Sequence, residues 1–292
     1  MQKAENFSII CGTGACNASC PFCVSKMTGL SELGLKEQPI NWRNFDKAAQ
    51  MAKNYEADSV IITGKGEPTL YPDQITQYLE HLRPHNFPLI DLQTNAVLFD
   101  RQRGKFLDYL RTWYDLGLAW VAISIVHFLS EENRKVYTPR AKEYVDLPKI
   151  VADINEIGLS ARFSVTMFNG GLDNPEKVDQ MINWSKQLDV RQLTLRRVAK
   201  PALSENEDIG RWTEAHLLTD NQMGTIREYL AQSGSLIDKG GHGSLTYDVR
   251  GQNVCLTNAL TIDPESPRKR QIIFYPNGRV RFDWQHAGAT LL

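Results

Sequence analysis

Phe7-Ser-Ile-Ile-Cys11-Gly-Thr-Gly-Ala-Cys16-Asn-Ala-Ser-Cys20-Pro-Phe-Cys23 is the stretch on which the reading of this chain turns. Its opening, Phe7–Cys11, is a short apolar run that reads as a buried strand. Its second half places Cys16, Cys20 and Cys23 on the loop that follows. Three thiolates that close in sequence can converge on one metal centre. A closed structural zinc site takes four ligands, and a fully ligated four-iron cluster takes four cysteines. This motif supplies three, with no evident fourth. An incomplete cage leaves one metal position open for a cofactor or substrate.

The remaining cysteines do not change this. Cys11 lies within the strand and reads as a core residue. Cys255 stands in a β segment without an adjacent partner, and a second cluster needs more ligands than these two supply. Five cysteines, four of them packed between positions 11 and 23, make a poor disulfide framework. In a reducing compartment such clustering points to metal or thiol chemistry.

Working outward from the cysteines, strand-like runs alternate with amphipathic helical stretches. The strand candidates are Phe7–Cys11, Val60–Thr63, Leu89–Gln93, Val121–Ile125, Phe163–Met167 and Gln192–Leu195. Helical spacing of apolar residues marks Asn44–Tyr55, Asp73–Leu82, Arg103–Leu116, Pro148–Ile157 and Pro175–Leu188, with Pro148 and Pro175 suited to a first turn. Six β–α pairs imply a parallel sheet with helices outside, and chemistry at the carboxyl ends of its strands. After Lys200-Pro201 the rhythm stops. Ala202–Ala215 reads as irregular, Asn221–Ala231 as a helix, and the glycine-rich GSLIDKGGHGSL as a mobile loop. Two hairpins follow, Thr246–Arg250 with Asn253–Thr257, and Gln271–Tyr275 with Arg279–Trp284 around Pro276-Asn277-Gly278. The expected organisation is a core over residues 1–200 and an extension over 201–292. The extension packs on the core, helps close its bottom or side, and shapes the substrate pocket.

Composition narrows the function. With 33 Lys plus Arg against 34 Asp plus Glu the formal net charge is −1, without the basic excess of a duplex binder. Nucleic acid is therefore disfavoured as a partner, and only Arg196-Arg197 and Arg268-Lys269-Arg270 are locally basic. The opening MQKAENFSII has no apolar signal core, and no run approaches membrane-spanning length. The expectation is a cytoplasmic protein without membrane attachment.

The spacing C-x3-C-x2-C, with Phe22 before the last cysteine, resembles the radical S-adenosylmethionine (radical SAM) superfamily, and the resemblance runs over roughly residues 7–200. It implies a partial (βα)6 TIM-like barrel, α/β in class, with a C-terminal α+β extension. It further implies that Cys16, Cys20 and Cys23 hold a [4Fe–4S] cluster whose fourth iron binds S-adenosylmethionine. One electron then cleaves the sulfonium to a 5′-deoxyadenosyl radical, which abstracts a substrate hydrogen. An electron donor such as flavodoxin or ferredoxin is implied as a partner.

Later strand ends extend the resemblance. Thr63-Gly64-Lys65-Gly66-Glu67-Pro68 is similar to the family's G-G-E-P motif for the amino group of S-adenosylmethionine, with Lys65 in place of the first glycine of the pair. Glycine admits a close backbone approach, and a carbonyl or Glu67 can accept from an ammonium. Gln93-Thr94-Asn95 resembles a T-N-G segment with Ala96 for glycine. Thr94 and Asn95 can bond the methionyl carboxylate or simply cap the next helix. Ser124 matches the serine of the family's S-x-D strand, with Val126 at the acid position. His127 follows, and a lone histidine is more often a surface or capped residue. Arg134 and Arg140 lie where some relatives use an arginine on the cofactor carboxylate. Ser164 and Arg196 place polar groups inside apolar runs of strands five and six. An inward arginine needs a partner, either a carboxylate or phosphate ligand or a protein acid. The expected cofactor-binding set is thus Gly64, Gly66, Glu67, Thr94, Asn95, Ser124, Ser164 and Arg196.

For the substrate, a small molecule or nucleotide is preferred over a ribosomally made peptide, because peptide maturases often carry a cysteine-rich C-terminal domain and this chain has only Cys255 there. A non-catalytic iron–sulfur or zinc module is the third reading, and Gly66-Glu67 at the end of strand two speaks against it.

Overall fold

The alternation of strand and helix signals builds six βα units. The computed structural model describes residues 3–28, 33, 36–258 and 266–292. In chain order the units are β1 (Lys3–Ile10), α1 (Val24–Met27), α2 (Trp42–Asn54), β2 (Ser59–Thr63), α3 (Pro72–Leu82), β3 (Leu89–Thr94), α4 (Val97–Arg101) and α5 (Arg103–Asp115). They continue with β4 (Trp120–Ile125), α6 (Ser130–Tyr137), α7 (Leu147–Ile157), β5 (Ser160–Met167), α8 (Pro175–Gln187) and β6 (Gln192–Arg197). The expected strands and long helices all form, with ends shifted by a few residues.

Local chemistry sets the helix ends. Asp146 caps α7 by accepting from Lys149 N at 3.1 Å, Pro148 occupies its first turn, and Gly158 ends it at φ +100°. Asn174 caps α8 in the same way, accepting from Lys177 N at 3.0 Å ahead of Pro175.

The extension adds α9 (Glu207–Ala215), α10 (Asp220–Ser233), β7 (Ser235–Lys239), β8 (Leu245–Val249), β9 (Gln252–Asn258), β10 (Arg268–Phe274) and β11 (Val280–Arg281). Two expectations are corrected here. Part of the stretch read as irregular is helix α9, capped by Asn206 accepting from Ile209 N at 3.0 Å. Part of the glycine-rich piece read as a mobile loop is strand β7, paired antiparallel with β8. All of β7 is exposed, so it carries no alternating burial pattern that a sequence could display.

The described strands form one sheet in the order β11-β10-β1-β2-β3-β4-β5-β6-β9-β8-β7. The extension therefore supplies both flanks: β9 pairs parallel to β6, and β10 pairs parallel to β1. From β10 through β1–β6 to β9 every neighbour is parallel. Residues of β10, β1 and β6 line one cavity although β6 lies five strands from β1, so the sheet curls into a partial barrel.

Strand periodicity separates two interiors. On β5, Ala161, Phe163, Val165 and Met167 are buried in the main apolar core beneath the helices. Arg162, Ser164 and Thr166 alternate with them and face the barrel lumen. The same alternation places Ser124, Ser164, Thr194 and Cys255 side by side on β4, β5, β6 and β9. The outer layer is thus the hydrophobic core, and the lumen is polar.

Candidate active site at the barrel mouth

The cysteine loop leaves β1 through Gly12, whose φ of +73° and contact with the Tyr71 ring leave no room for a side chain. Hydrogen bonds and one ring anchor the loop. Thr13 Oγ1 meets Tyr71 Oη at 2.6 Å, Ser19 N donates to Tyr137 O at 2.9 Å, and Glu67 N donates to Ala15 O at 2.9 Å. Phe22 is buried against Tyr137, Phe168 and Trp212, with the Trp212 ring centroid 5.8 Å away. Trp212 belongs to α9, so the extension covers the loop from outside. Glu205 N also donates to Met27 O at 2.9 Å. Burying a Phe side chain contributes about 2–3 kcal/mol, enough to set the loop's position.

Cys16 is exposed, and Cys20 and Cys23 are half-buried. The three form one electrostatic group. The Cys20 thiol is pushed up by burial first and then by Cys23 and Cys16; the Cys16 thiol is pushed up by burial and by Glu67 and Cys23, against the Ala18 N–H, which lowers it. That N–H lies 3.4 Å from Cys16 Sγ, and Asn95 Nδ2 lies 3.8 Å from it. Asn17 Nδ2 is buried without a partner among the described residues, a donor left for an anionic group on the neighbouring thiolates. These residues fit a multi-atom anionic cluster. They do not form a one-ion cage: among the described residues no three of His, Cys, Asp and Glu stand ready for a single metal ion. Cys11 is separate from the group, buried under Pro68 O and Tyr71 O at 3.8 Å, with its thiol pushed well up by burial.

The turn after β2 packs directly on this loop. A Cβ on Gly66 would stand 1.9 Å from Ala15 O, so only glycine permits the approach. Glu67 is 3% exposed, and both its oxygens are already engaged. Oε1 accepts from Thr69 N at 3.1 Å, Thr69 Oγ1 at 2.7 Å and Thr94 Oγ1 at 2.6 Å, while Oε2 accepts from Asn95 N at 2.9 Å. Burial raises its pKa and these bonds work the other way. Thr94 Oγ1 also accepts from Ala96 N at 3.0 Å, and Asn95 Oδ1 accepts from Val97 N at 3.0 Å, so both residues shape the turn that leads into α4. Asn95 Nδ2 donates to Asn17 Oδ1 at 2.8 Å. In this arrangement Glu67, Thr94 and Asn95 clamp the ends of β2 and β3 to the cysteine loop. Ala96, where glycine was expected, adopts φ +58°.

Ser124 and Ser164 are register partners facing the lumen, and among the described residues neither hydroxyl makes a hydrogen bond. His127 is buried; its Nδ1 accepts from Leu129 N at 3.0 Å, and burial lowers its pKa. Arg134 is committed to Glu131 and to the carbonyls of Pro139 and Ala141. Arg162 pairs with Asp91, an acid that the sequence reading passed over. Arg197 lines an outer groove with Lys200 and Ala202, away from the lumen.

Below the cysteine loop the lumen holds a cavity of ≈ 220 Å³, lined in part by Asn6, Ser8, Gln93, Arg196, Arg270 and Gln271. Gly64, Lys65, Thr28 and Trp284 close its mouth. Lys65 is 4% exposed, donates through Nζ to Thr28 Oγ1 at 2.7 Å, and sits 5.3 Å from the Trp284 ring centroid. Burial pushes its pKa down to about 8. Arg196 is likewise lowered to about 10, by burial first and then by Arg270 and Arg162. Arg270 and Trp284 were not foreseen as lumen residues. The basic run Arg268-Lys269-Arg270 was the available signal, and it lacked a topology.

Among the described residues no helix is long and apolar enough to cross a membrane. No curated protein sequence matches the chain. Solved structures do. SuiB from Streptococcus suis, bound to its precursor peptide SuiA, superposes with a TM-score of 0.61 at 14% identity, over 96% of this chain and 59% of that one. The same protein bound to S-adenosylmethionine gives 0.58 at 15% identity, over 96% and 60%. Methylornithine synthase (PylB) gives 0.51 at 12% identity, over 78% and 62%. At these identities the likeness is one of fold, and this chain spans about three fifths of the length of SuiB. The model of the radical SAM superfamily, a family of enzymes that use a [4Fe–4S] cluster and S-adenosylmethionine, matches residues 10–185, and the chain belongs to that superfamily.

Proposed function

We propose that this protein is a radical SAM enzyme in which Cys16, Cys20 and Cys23 hold the [4Fe–4S] cluster and the ends of β2 to β5 hold S-adenosylmethionine. The observation that carries this reading is the clamp. Glu67, Thr94 and Asn95 bind one another and, through Ala15 and Asn17, the cysteine loop, so the three thiols sit on a fixed platform. When bound, the cluster supplies the electron that cleaves the cofactor's sulfonium to a 5′-deoxyadenosyl radical for hydrogen abstraction.

The chain's own residues position the reactants. The backbone carbonyls of Gly64 and Gly66 are acceptors for the cofactor's ammonium. Glu67, Thr94 and Asn95 act as positioning residues, with their side-chain bonds spent on the loops. Ser124 and Ser164 present hydroxyls from the opposite wall. The barrel and α9 keep water from the reacting atoms. A small-molecule substrate suits a lumen cavity of ≈ 220 Å³, which lies below the usual range for ligands of drug size. The electron donor would be of the flavodoxin or ferredoxin class.

Anaerobic reconstitution tests the proposal. The reduced, reconstituted protein is expected to release 5′-deoxyadenosine from S-adenosylmethionine, and Cys20→Ala to lose the brown cluster absorbance. A Cys20→Ala protein with a full four-iron complement, or a loaded wild type that never cleaves the cofactor, overturns it.

A further inference from the structure

The lumen cavity carries an imbalance of charge. Lys65, Arg196 and Arg270 line it, together with the donors Asn6, Gln93 and Gln271. Among the described residues no Asp or Glu lines it. Outside the lining, Asp91 pairs with Arg162 and also acts on Arg196, Glu5 acts on Arg270 from the neighbouring strand, and Glu205 and Asp283 act on Lys65. Among the described residues Lys65 has only neutral Thr28 as a hydrogen-bond partner. Arg196 makes no hydrogen bond or ion pair among the described residues, and its Nε is buried without one. A guanidinium held this way is costly, because burial removes hydration that no hydrogen bond replaces. Folds retain such charges where a ligand supplies the counter-charge.

S-adenosylmethionine does not supply it. Its sulfonium and ammonium outweigh its single carboxylate, so it is a net cation, which a lining of basic side chains without an acid disfavours. The cavity also reaches Asn6, Ser8 and Ile61, mid-strand positions of β1 and β2, beneath the loops that carry Gly66 and the cysteines.

We propose that the cavity beneath the cysteine loop is a subsite for a carboxylate or phosphate group of the substrate, held by Arg196 and Arg270 with Lys65 at its rim. It rests on the proposed function only in taking the barrel as the substrate chamber. The group sits at the bottom of the chamber, which leaves the rest of the substrate directed toward the cluster loop. The reaction's substrate is then an organic acid or a phosphate ester.

Anaerobic calorimetry tests this with inorganic phosphate and, separately, succinate, at constant ionic strength, on cluster-loaded wild type and on Cys20→Ala. At least one probe is expected to bind saturably, in both proteins, and which one binds identifies the anion. Arg196→Gln is expected to weaken that binding at least tenfold, the worth of one charge-assisted contact. Arg197→Gln, on the outer groove, is expected to leave it unchanged. S-adenosylmethionine affinity in Arg196→Gln is expected to stay within threefold of wild type. Should Arg196→Gln fail to fold, Arg270→Gln carries the same expectation. Two results overturn the subsite: no saturable binding of either probe, or a loss of S-adenosylmethionine affinity in Arg196→Gln that equals its loss of anion affinity. Binding to Cys20→Ala without cofactor cleavage by the loaded wild type retains the subsite while the cluster reading fails.

Discussion

Lys65→Met probes what the charged cavity costs the fold. Lys65 titrates near 8 in the folded chain against 10.5 for an ordinary lysine, because it is buried. Glu205, Cys23 and Asp283 act in the opposite direction and do not offset the burial. The gap corresponds to about 3 kcal/mol against the ammonium in the folded state. The sign follows from proton counting. Below about pH 8 both folded and unfolded chains carry the charge, and the full cost is present. Between about 8 and 10.5 the unfolded chain binds more protons than the folded one, so stability rises with pH. Above 10.5 both forms are neutral and the cost is gone. Methionine fills a similar volume without charge, and removing the bond to Thr28 gives back about 1 kcal/mol. The variant is therefore expected to be about 2 kcal/mol more stable at pH 7, a rise of several degrees in melting temperature. Urea unfolding of both proteins at pH 7 and at pH 10 measures it. The gain shrinks at the higher pH, and it shrinks at pH 7 when a saturating anion compensates the charge in wild type. A variant less stable than wild type at pH 7, or a difference that ignores pH, refutes the reasoning.

Three further substitutions address the platform and the lumen. Gly66→Ala forces a methyl group onto Ala15 O; iron content after reconstitution should fall at least several-fold, with a thermal loss of about 1–3 kcal/mol, whereas an unchanged iron content would mean the loops are not coupled. Glu67→Gln presents an amide to donors that now serve a carboxylate, so a loss of about 2–3 kcal/mol is expected in denaturant unfolding, together with weaker cofactor binding. Asp91→Asn leaves half-buried Arg162 without its counter-charge and should cost about 2–3 kcal/mol, while Asp91→Leu with Arg162→Met should recover most of that loss; equal stability of the single and double variants would dismiss the pair.

How far the sequence speaks depends on where each signal is written. β1 to β6 were legible because their outward faces are buried and apolar: Phe7 and Ile9, Val60 and Ile62, Val121 and Ile123 lie in the main core. The cysteine loop was legible from spacing alone. Strand β7 was not, since both its faces are exposed. Helix α9 was obscured because its buried residues are Gly210 and Thr213, neither of which gives an apolar signal. The roles of Glu67, Thr94 and Asn95 were legible as a location but not as chemistry. Their types suit either a ligand or a loop clamp, and only the four hydrogen bonds on one carboxylate decide for the clamp.

The charged lumen was the least legible feature, and its origin explains why. Arg196 lies on β6 of the core, yet Arg270, Gln271 and Trp284 come from the extension, and their proximity depends on β10 pairing with β1 across more than 260 residues of sequence. No local pattern encodes that pairing. The division has a functional consequence. The groups proposed to hold the cluster and cofactor, from Cys16 to Ser164, come from β1 to β5 and their loops. The cavity walls come jointly from the core and the extension. A change in β10 or around Trp284 should therefore alter which anion is accepted while cofactor cleavage persists. A change at Gly66 or Glu67 should do the reverse, because both touch Ala15 of the cysteine loop and neither lines the cavity, as Gly64 and Lys65 do.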